Sequence, residues 1–186
     1  MASYVLARYR FRGRGVLYAL FAAGLMFPIT VAITPLYIVV RNLGLMNSLA
    51  GVIVPQIAFA LPITIIILVP FLAAIPNELQ EAAAIDGCRP WKVFLRIVLP
   101  LIRPGLAAAA IFTFRIAWNE FILALVLTDR ATRTLPVAAS LYITDIGVDW
   151  GKIMALGSLI AVPPLIFTFI AARQIITGLT AGAVKG

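Results

Sequence analysis

The chain has 186 residues, of which 63% are hydrophobic and 12% are charged, whereas soluble domains are about half apolar and about a quarter charged. This composition excludes a disordered chain and an ordinary water-soluble enzyme, and it predicts an all-α polytopic membrane protein surrounded by the lipid bilayer. The net charge of +8 is typical of basic loops held on the cytoplasmic side of a membrane, and nucleic acid is not an expected partner.

The residue inventory excludes several kinds of chemistry. The sequence contains no histidine and a single cysteine, Cys88, which excludes a His-dependent catalytic triad, an internal disulfide and a thiolate metal cluster. We therefore expect no catalytic residue, no cofactor and no metal site, and a protein that is not itself an enzyme.

Four transmembrane helices are predicted from charge-poor windows, near residues 16–40, 48–72, 102–127 and 153–175. The window 153–172 is a charge-free stretch of 20 residues, close to the length that crosses about 30 Å of hydrocarbon. Every predicted span has proline in or beside it, which predicts bent helices. Bent helices are typical both of simple packing and of a transport pathway, and the number of prolines does not separate the two.

The basic residues predict the orientation. If the chain crosses the membrane four times, both termini lie on one side, together with ten basic residues: Arg8, Arg10, Arg12, Arg14, Arg89, Lys92, Arg96, Arg103, Arg173 and Lys185. The other side receives Arg41, Arg130, Arg133 and Lys152. Because basic loops stay in the cytoplasm, we expect a cytoplasmic basic segment at 1–14, a transmembrane domain at 15–177 that includes a cytoplasmic loop at 73–103, and a cytoplasmic tail at 178–186.

The loop 73–103 predicts a short helix over 78–86. Asn77 is a candidate helix cap with Gln80 as its capping-box partner, and the alanines of the segment have high helix propensity. Gly87 fits the left-handed position that ends a helix. Pro90 then suits the first turn of a following helix, whose predicted apolar stripe would anchor the short helix to the spans: Trp91, Phe94, Leu95, Val98 and Leu99.

Arg115 and Glu120 fall inside the third predicted span, where charged residues are costly and usually functional. Arg115 is expected near the midplane, on the same helix face as Asn119, whereas Glu120 is expected to find a partner on another helix or subunit. Arg115, Asn119 and Glu120 are candidates for the translocation path or its external gate, and a structural pair between subunits is the alternative. The segment 129–152 then predicts an external loop with a short helix from Leu135.

Seven positions within the cytoplasmic loop follow a fixed spacing over 20 residues: Glu81, Ala82, Ala83, Gly87, Ile97, Leu99 and Pro100. This spacing matches the EAA signature of ABC-importer permeases. The chain resembles the carbohydrate-uptake branch of that family, in particular the second permease subunit of maltose and multiple-sugar systems. Residues 2–14, the segment Trp118-Asn119-Glu120-Phe121 and the C-terminal residues 178–186 carry the same resemblance.

The resemblance implies a type I ABC importer permease in the bacterial cytoplasmic membrane, importing a sugar or sugar-like solute. In this family the EAA helix docks on a cytoplasmic ATPase dimer. The residues implied in ATPase coupling are Glu81, Ala82, Ala83, Asp86, Gly87, Ile97, Leu99 and Pro100. The residues implied in a tail contact with the ATPase are Gly178, Leu179, Thr180, Ala181, Gly182 and Lys185. A second permease subunit and an extracytoplasmic substrate-binding protein complete the implied partners.

The sequence has no G-x-x-x-x-G-K-[ST] segment, so ATP hydrolysis is expected in a partner chain. Family members usually carry two more spans before the segment resembling residues 2–14. The chain therefore resembles a core lacking the first two spans, as a fragment, a mis-assigned start or a short variant. An ABC permease for a non-sugar solute is one alternative function. An ion-coupled secondary transporter is another, although Glu120 alone offers no proton relay.

Overall fold

The computed structural model describes the backbone of residues 1–183 and the side chains of residues 1–172, and the regular secondary structure of these residues is helical apart from one small hairpin. The helices are α1 Ala2–Arg8, α2 Arg14–Met26, α3 Ile29–Asn42, α4 Leu49–Ala73, α5 Asn77–Ile85, α6 Pro90–Leu101, α7 Arg103–Trp118, α8 Ile122–Leu127, α9 Leu135–Ser140 and α10 Trp150–Ala183. The antiparallel strands β1 Ile143–Thr144 and β2 Gly147–Val148 form the hairpin. The all-α prediction is confirmed, and α9 is the short helix predicted from Leu135.

Two helices are long and apolar enough to cross a membrane: α4 and the part of α10 at Trp150–Ala172. Two bent helix pairs, α2 with α3 and α6 with α7, raise the number to as many as four among the described residues. The first predicted span, 16–40, is therefore two helices that meet at 98°. Phe27 and Pro28 are extended there, because proline has no N–H to donate and disfavours helical geometry in the residue before it.

The third predicted span, 102–127, is also broken. α7 starts after a 74° bend from α6, and Pro104 stands in its first turn, where the missing N–H costs least. α7 then ends at Trp118 and the chain resumes as α8 at Ile122. Apart from a few polar residues such as Arg115 and Glu120 the sequence window is apolar, and its hydrophobicity alone does not reveal where the helix stops.

α4 lies at the centre, with α1, α2 and α7 packed on it. One apolar cluster joins its C-terminal half to α6 and α7 through Leu72, Val98 and Ile102. A second cluster joins its N-terminal half to α3 and α8, where the Asn47 N–H donates to the Leu127 carbonyl at 3.0 Å. We call the region of the first cluster the α5 end, because α5 follows the C-terminus of α4 in the chain. We call the region of the second cluster the opposite end.

Gly105 of α7 packs tightly against α4. A Cβ added at Gly105 would lie 2.5 Å from Cγ of Phe71. We expect Gly105→Ala to lower the free energy of unfolding by about 1–3 kcal/mol through overpacking, measured by thermal unfolding of the purified protein in detergent. Gly157→Ala in α10 is the matched control, since no described atom lies within 4 Å of its added Cβ. Equal stability of the two variants would contradict this packing.

Candidate functional site

α5 is a nine-residue helix that begins at Asn77, directly after Pro76, and ends at Ile85. Three N–H groups close its C-terminal turn: Asp86 to Ala82 O at 3.0 Å, Gly87 to Ala84 O at 3.0 Å and Cys88 to Ala83 O at 2.9 Å. Gly87 has φ +75°, which is the left-handed geometry predicted for it, and Pro90 opens α6 as expected. The predicted helix 78–86 is therefore confirmed to within one residue at each end.

The predicted capping box is wrong. Pro76, not Asn77, occupies the N-cap position, and no side chain caps α5. The side-chain oxygen Oδ1 of Asn77 instead accepts a hydrogen bond from Arg8, and the Gln80 side-chain amide bonds the Tyr4 hydroxyl at 2.7 Å. Both side chains are thus used in contacts with α1, a tertiary packing that the local sequence pattern does not encode.

The outer face of α5 is exposed. Glu81, Ala82 and Asp86 are exposed, and the Ile85 side chain is 87% exposed. Within α5, Ala83 is the buried residue, at 7% exposure. The EAA residues are therefore divided, with Ala83 facing the protein and Glu81 and Ala82 facing away. The exposed side of α5 therefore carries the apolar Ile85 side chain together with the carboxylates of Glu81 and Asp86.

The predicted apolar stripe of α6 is only partly correct. Trp91 is 60% exposed and Leu95 is 41% exposed, whereas Val93 and Val98 are buried. Residues Phe94–Val98 form a π-helical turn, and its wider repeat puts the residues five apart, Val93 and Val98, on the buried side instead of the predicted spacing of three and four. The other predicted α6 coupling residues, Ile97, Leu99 and Pro100, are half-buried.

Arg115 and Asn119 lie together, as predicted. With Thr168 they supply polar lining to an open groove of about 520 Å³ between α7 and α10. The Asn119 side-chain amide donates to the Arg115 carbonyl oxygen at 2.9 Å, so it closes the end of α7. The guanidinium of Arg115 stands on a largely apolar groove wall, which gives the groove a cationic donor for a polar solute or a partner subunit.

Glu120 does not belong to this groove. Its carboxylate accepts hydrogen bonds from the backbone N–H groups of Leu123 at 2.7 Å and Ala124 at 3.0 Å. Glu120 therefore finds its partners on another helix, one of the two predicted alternatives, because the break before α8 frees backbone donors in the next helix of the same chain. An acidic side chain at a helix start also interacts favourably with the helix dipole.

Other polar contacts between the long helices were missed from the sequence. The Thr64 and Thr113 hydroxyl oxygens are 3.1 Å apart between α4 and α7, and the Trp118 indole N–H donates to the Ile160 carbonyl at 2.9 Å. Their signal in the sequence was the presence of hydrogen-bonding side chains in otherwise apolar spans. Such groups, when removed from water, are found paired.

The C-terminal contacts stay predictions. The side chains of the six predicted residues are outside the described part of the structure: Gly178, Leu179, Thr180, Ala181, Gly182 and Lys185.

The structure has bent spans around a central helix, and a short exposed helix joins the second and third predicted spans. These features are typical of a polytopic α-helical membrane transport protein. The family described as "Binding-protein-dependent transport system inner membrane component" matches residues 1–179, and the chain belongs to this family. It is accordingly a multi-pass inner membrane protein.

Relatives of this chain include permeases of carbohydrate uptake systems, which confirms the resemblance noted in the sequence. The diacetylchitobiose uptake system permease protein DasC of Streptomyces coelicolor is 42% identical over 185 residues, covering 99% of this chain and 67% of DasC. The trehalose transport system permease protein SugB of Mycobacterium tuberculosis is 40% identical over 189 residues, covering 100% of this chain and 69% of SugB. The chain thus spans about two thirds of the length of the curated relatives it matches.

The fold is shared with a solved ABC transporter. The MetNI methionine transporter, in inward-facing conformations, matches with a TM-score of 0.73 at 20% identity, covering 95% of this chain and 82% of that chain. At this identity the likeness concerns the fold alone, and it confirms the predicted permease core.

Proposed function

We propose that this chain is the permease subunit of an ATP-binding cassette importer that moves a sugar or sugar-like solute across the cytoplasmic membrane. ATP hydrolysis in a cytoplasmic ATPase dimer drives the transport. The observation that carries the proposal is α5, a helix with an exposed face at a junction of two spans. The sugar systems named for DasC and SugB support a carbohydrate as the solute.

In this proposal α5 transmits motion, because one of its faces is exposed to a partner and the helix that follows it is packed into the apolar core. Burial of the exposed Ile85 side chain against a partner would contribute about 1.5–3 kcal/mol, and the small Ala82 lets the partner approach closely. Glu81 and Asp86 would meet basic groups of the ATPase. The tight turn at Gly87 leads into α6, which is anchored by Val98, so a displacement of α5 is passed to the spans.

The distribution of charge supports a cytoplasmic location for α5. Arg8 bonds residues at the start of α5, and Arg89 and Lys92 follow α5 in the chain. Arg130, Arg133 and Lys152 belong to the external segment and the start of α10. By the positive-inside rule, the N-terminal segment and the 73–103 loop are cytoplasmic, and so is the tail at 178–186, which contacts the ATPase dimer.

The groove between α7 and α10 is the proposed wall of the translocation path, with Arg115 and Asn119 as solute-facing donors. The second permease subunit would complete the path along the exposed apolar surface of α10, which includes Leu159 and Phe169. The substrate-binding protein would dock at the opposite end, where Ile146 of the hairpin loop is fully exposed. Glu120 supports the gate by fixing the start of α8.

Uptake by the complete transporter in proteoliposomes tests this function. Labelled di- and oligosaccharides should enter only with ATP inside and a loaded binding protein outside, and methionine should be excluded. Uptake of an amino acid in place of sugars would indicate an ABC permease of another specificity. Uptake that follows a proton gradient without ATP would indicate a secondary transporter.

Glu81→Lys should lower both uptake and stimulated ATP hydrolysis about tenfold, the effect of losing roughly 1.4 kcal/mol of docking free energy. Glu81 is exposed on the docking face, so the charge reversal should leave the fold intact, as checked by the yield of assembled complex. Glu78→Lys is the matched control on the same helix, outside the EAA spacing. Wild-type coupling in Glu81→Lys would contradict the role of α5.

A further inference from the structure

We propose that Tyr4 and Arg8 are positioning residues that clamp the start of α5 and make α1 a second attachment between this helix and the spans. We call the contacts of these two residues with α5 the α1 clamp. The inference rests on the coupling role proposed above and adds a structural device to it. It concerns the N-terminal basic segment, whose charge had suggested only a loop held in the cytoplasm.

Arg8 holds the two residues on either side of Pro76. Its Nη2 donates to the Ile75 carbonyl oxygen at 2.6 Å, and its Nη1 donates to Oδ1 of Asn77. Ile75 follows α4 and Asn77 begins α5, so a single guanidinium bridges the joint between the two helices. The planar fork of arginine suits this task, because it presents several donors in a fixed geometry.

Gln80 extends the clamp along the first turn of α5. In the amide orientation that satisfies both of its ends, the Gln80 nitrogen donates to the Tyr4 hydroxyl at 2.7 Å and its oxygen accepts from Nε of Arg8 at 2.9 Å. Burial raises the pKa of the Tyr4 hydroxyl. Tyr4, Arg8 and Gln80 therefore form one connected network rather than separate surface bonds.

The helix that carries the clamp residues, α1, is packed against the rest of the protein. Leu6 is 2% exposed and Ser3 is 5% exposed, so α1 is packed against the bundle. The Tyr4 ring contacts Phe94 of α6 edge-on, with ring centroids 5.2 Å apart. α5, in contrast, buries only Ala83 among its own residues. The position of α5 therefore depends more on the α1 clamp than on its own apolar packing.

The clamp also provides a route for motion. α1 leads through residues 9–13 to α2, which packs on α4 and continues after the bend into α3. A displacement of α5 is thus transmitted in two directions, forward along α6 into α7 and backward through α1 into α2. Both bent helix pairs are connected to α5 in this way.

The test compares Arg8→Ala with the matched control Arg10→Ala in the assembled, nucleotide-free transporter. Cys88, the single cysteine of the chain, is half-buried three residues after α5, so its rate of maleimide labelling reports how firmly α5 is held. We expect Arg8→Ala to label about tenfold faster than wild type, since hydrogen bonds to a charged group are lost, and Arg10→Ala to label at the wild-type rate. The labelling is read from the mass of this chain.

Two milder variants test the same contacts if Arg8→Ala assembles poorly. Arg8→Lys retains the charge but loses the fork, and Tyr4→Phe removes one hydroxyl, so each should accelerate labelling about fivefold. If Cys88 in these variants is labelled at the wild-type rate, the proposed clamp is wrong, regardless of the uptake measured for Glu81→Lys. Faster labelling combined with normal uptake in Glu81→Lys would support the clamp and overturn the coupling role, so the two failures are distinct.

Discussion

Gly87→Pro should abolish solute uptake while the chain still inserts into the membrane and assembles. Gly87 has φ +75°, whereas proline fixes φ near −65°, and proline also removes the N–H that donates to Ala84 O. The turn after α5 cannot form, so α5 loses its rigid connection to α6. Uptake in proteoliposomes measures the loss, and the yield of complex on co-purification shows that assembly persists.

Gly87→Asn is the control for that experiment. Asparagine tolerates the left-handed region better than other side chains, and among the described residues no heavy atom lies within 4 Å of an added Cβ at Gly87. We expect this variant to keep most of the uptake. Equal loss in both variants would show that the absence of a side chain, not the backbone geometry, is what position 87 requires.

Glu120→Ala should lower thermal stability and uptake together. The carboxylate accepts from two N–H groups at the start of α8, and removing such a cap costs about 0.5–2 kcal/mol, which corresponds to a fall of about 1–8 °C in Tm for a chain of this size. Leu123 and Leu127 of α8 are 1% exposed, so a loosened α8 disturbs the core at the opposite end. Thermal unfolding and uptake of the same preparation measure both effects.

Glu120→Asp separates the capping role from a direct role toward the solute. Aspartate is a good capping residue, so its Tm should approach that of the wild type, and uptake should follow the Tm. If Glu120→Asp restores the Tm but not the uptake, the carboxylate acts on the solute or the gate directly. Unchanged uptake in Glu120→Ala would remove Glu120 from both roles.

The parts of the fold set by neighbouring residues could be predicted from the sequence. The bounds of α5, the left-handed Gly87 and the position of Pro90 follow from propensity and turn geometry within about a dozen residues. The break at Pro28 was less evident, because membrane helices often continue through proline, as α4 does at Pro55 and Pro62.

The contacts that position the candidate site were beyond sequence reasoning for a different reason. Tyr4 and Gln80 are 76 residues apart and Arg8 and Asn77 are 69 apart, so no periodic pattern links them. The donors to Glu120 could not be identified from the sequence, because they exist only where α7 stops short of the predicted span end. The inward side of α6 was misjudged because a π-helical turn changes which residues share a face.

The continuity of α4 contrasts with its neighbours. It runs unbroken for 25 residues, whereas the pairs on either side of it in the chain, α2 with α3 and α6 with α7, are bent by 98° and 74°. The sharp bends are therefore concentrated at two junctions that flank one continuous central helix. We expect substitutions that straighten either junction to trap the protein in one conformation, while the proposed contact of α5 with an ATPase stays intact.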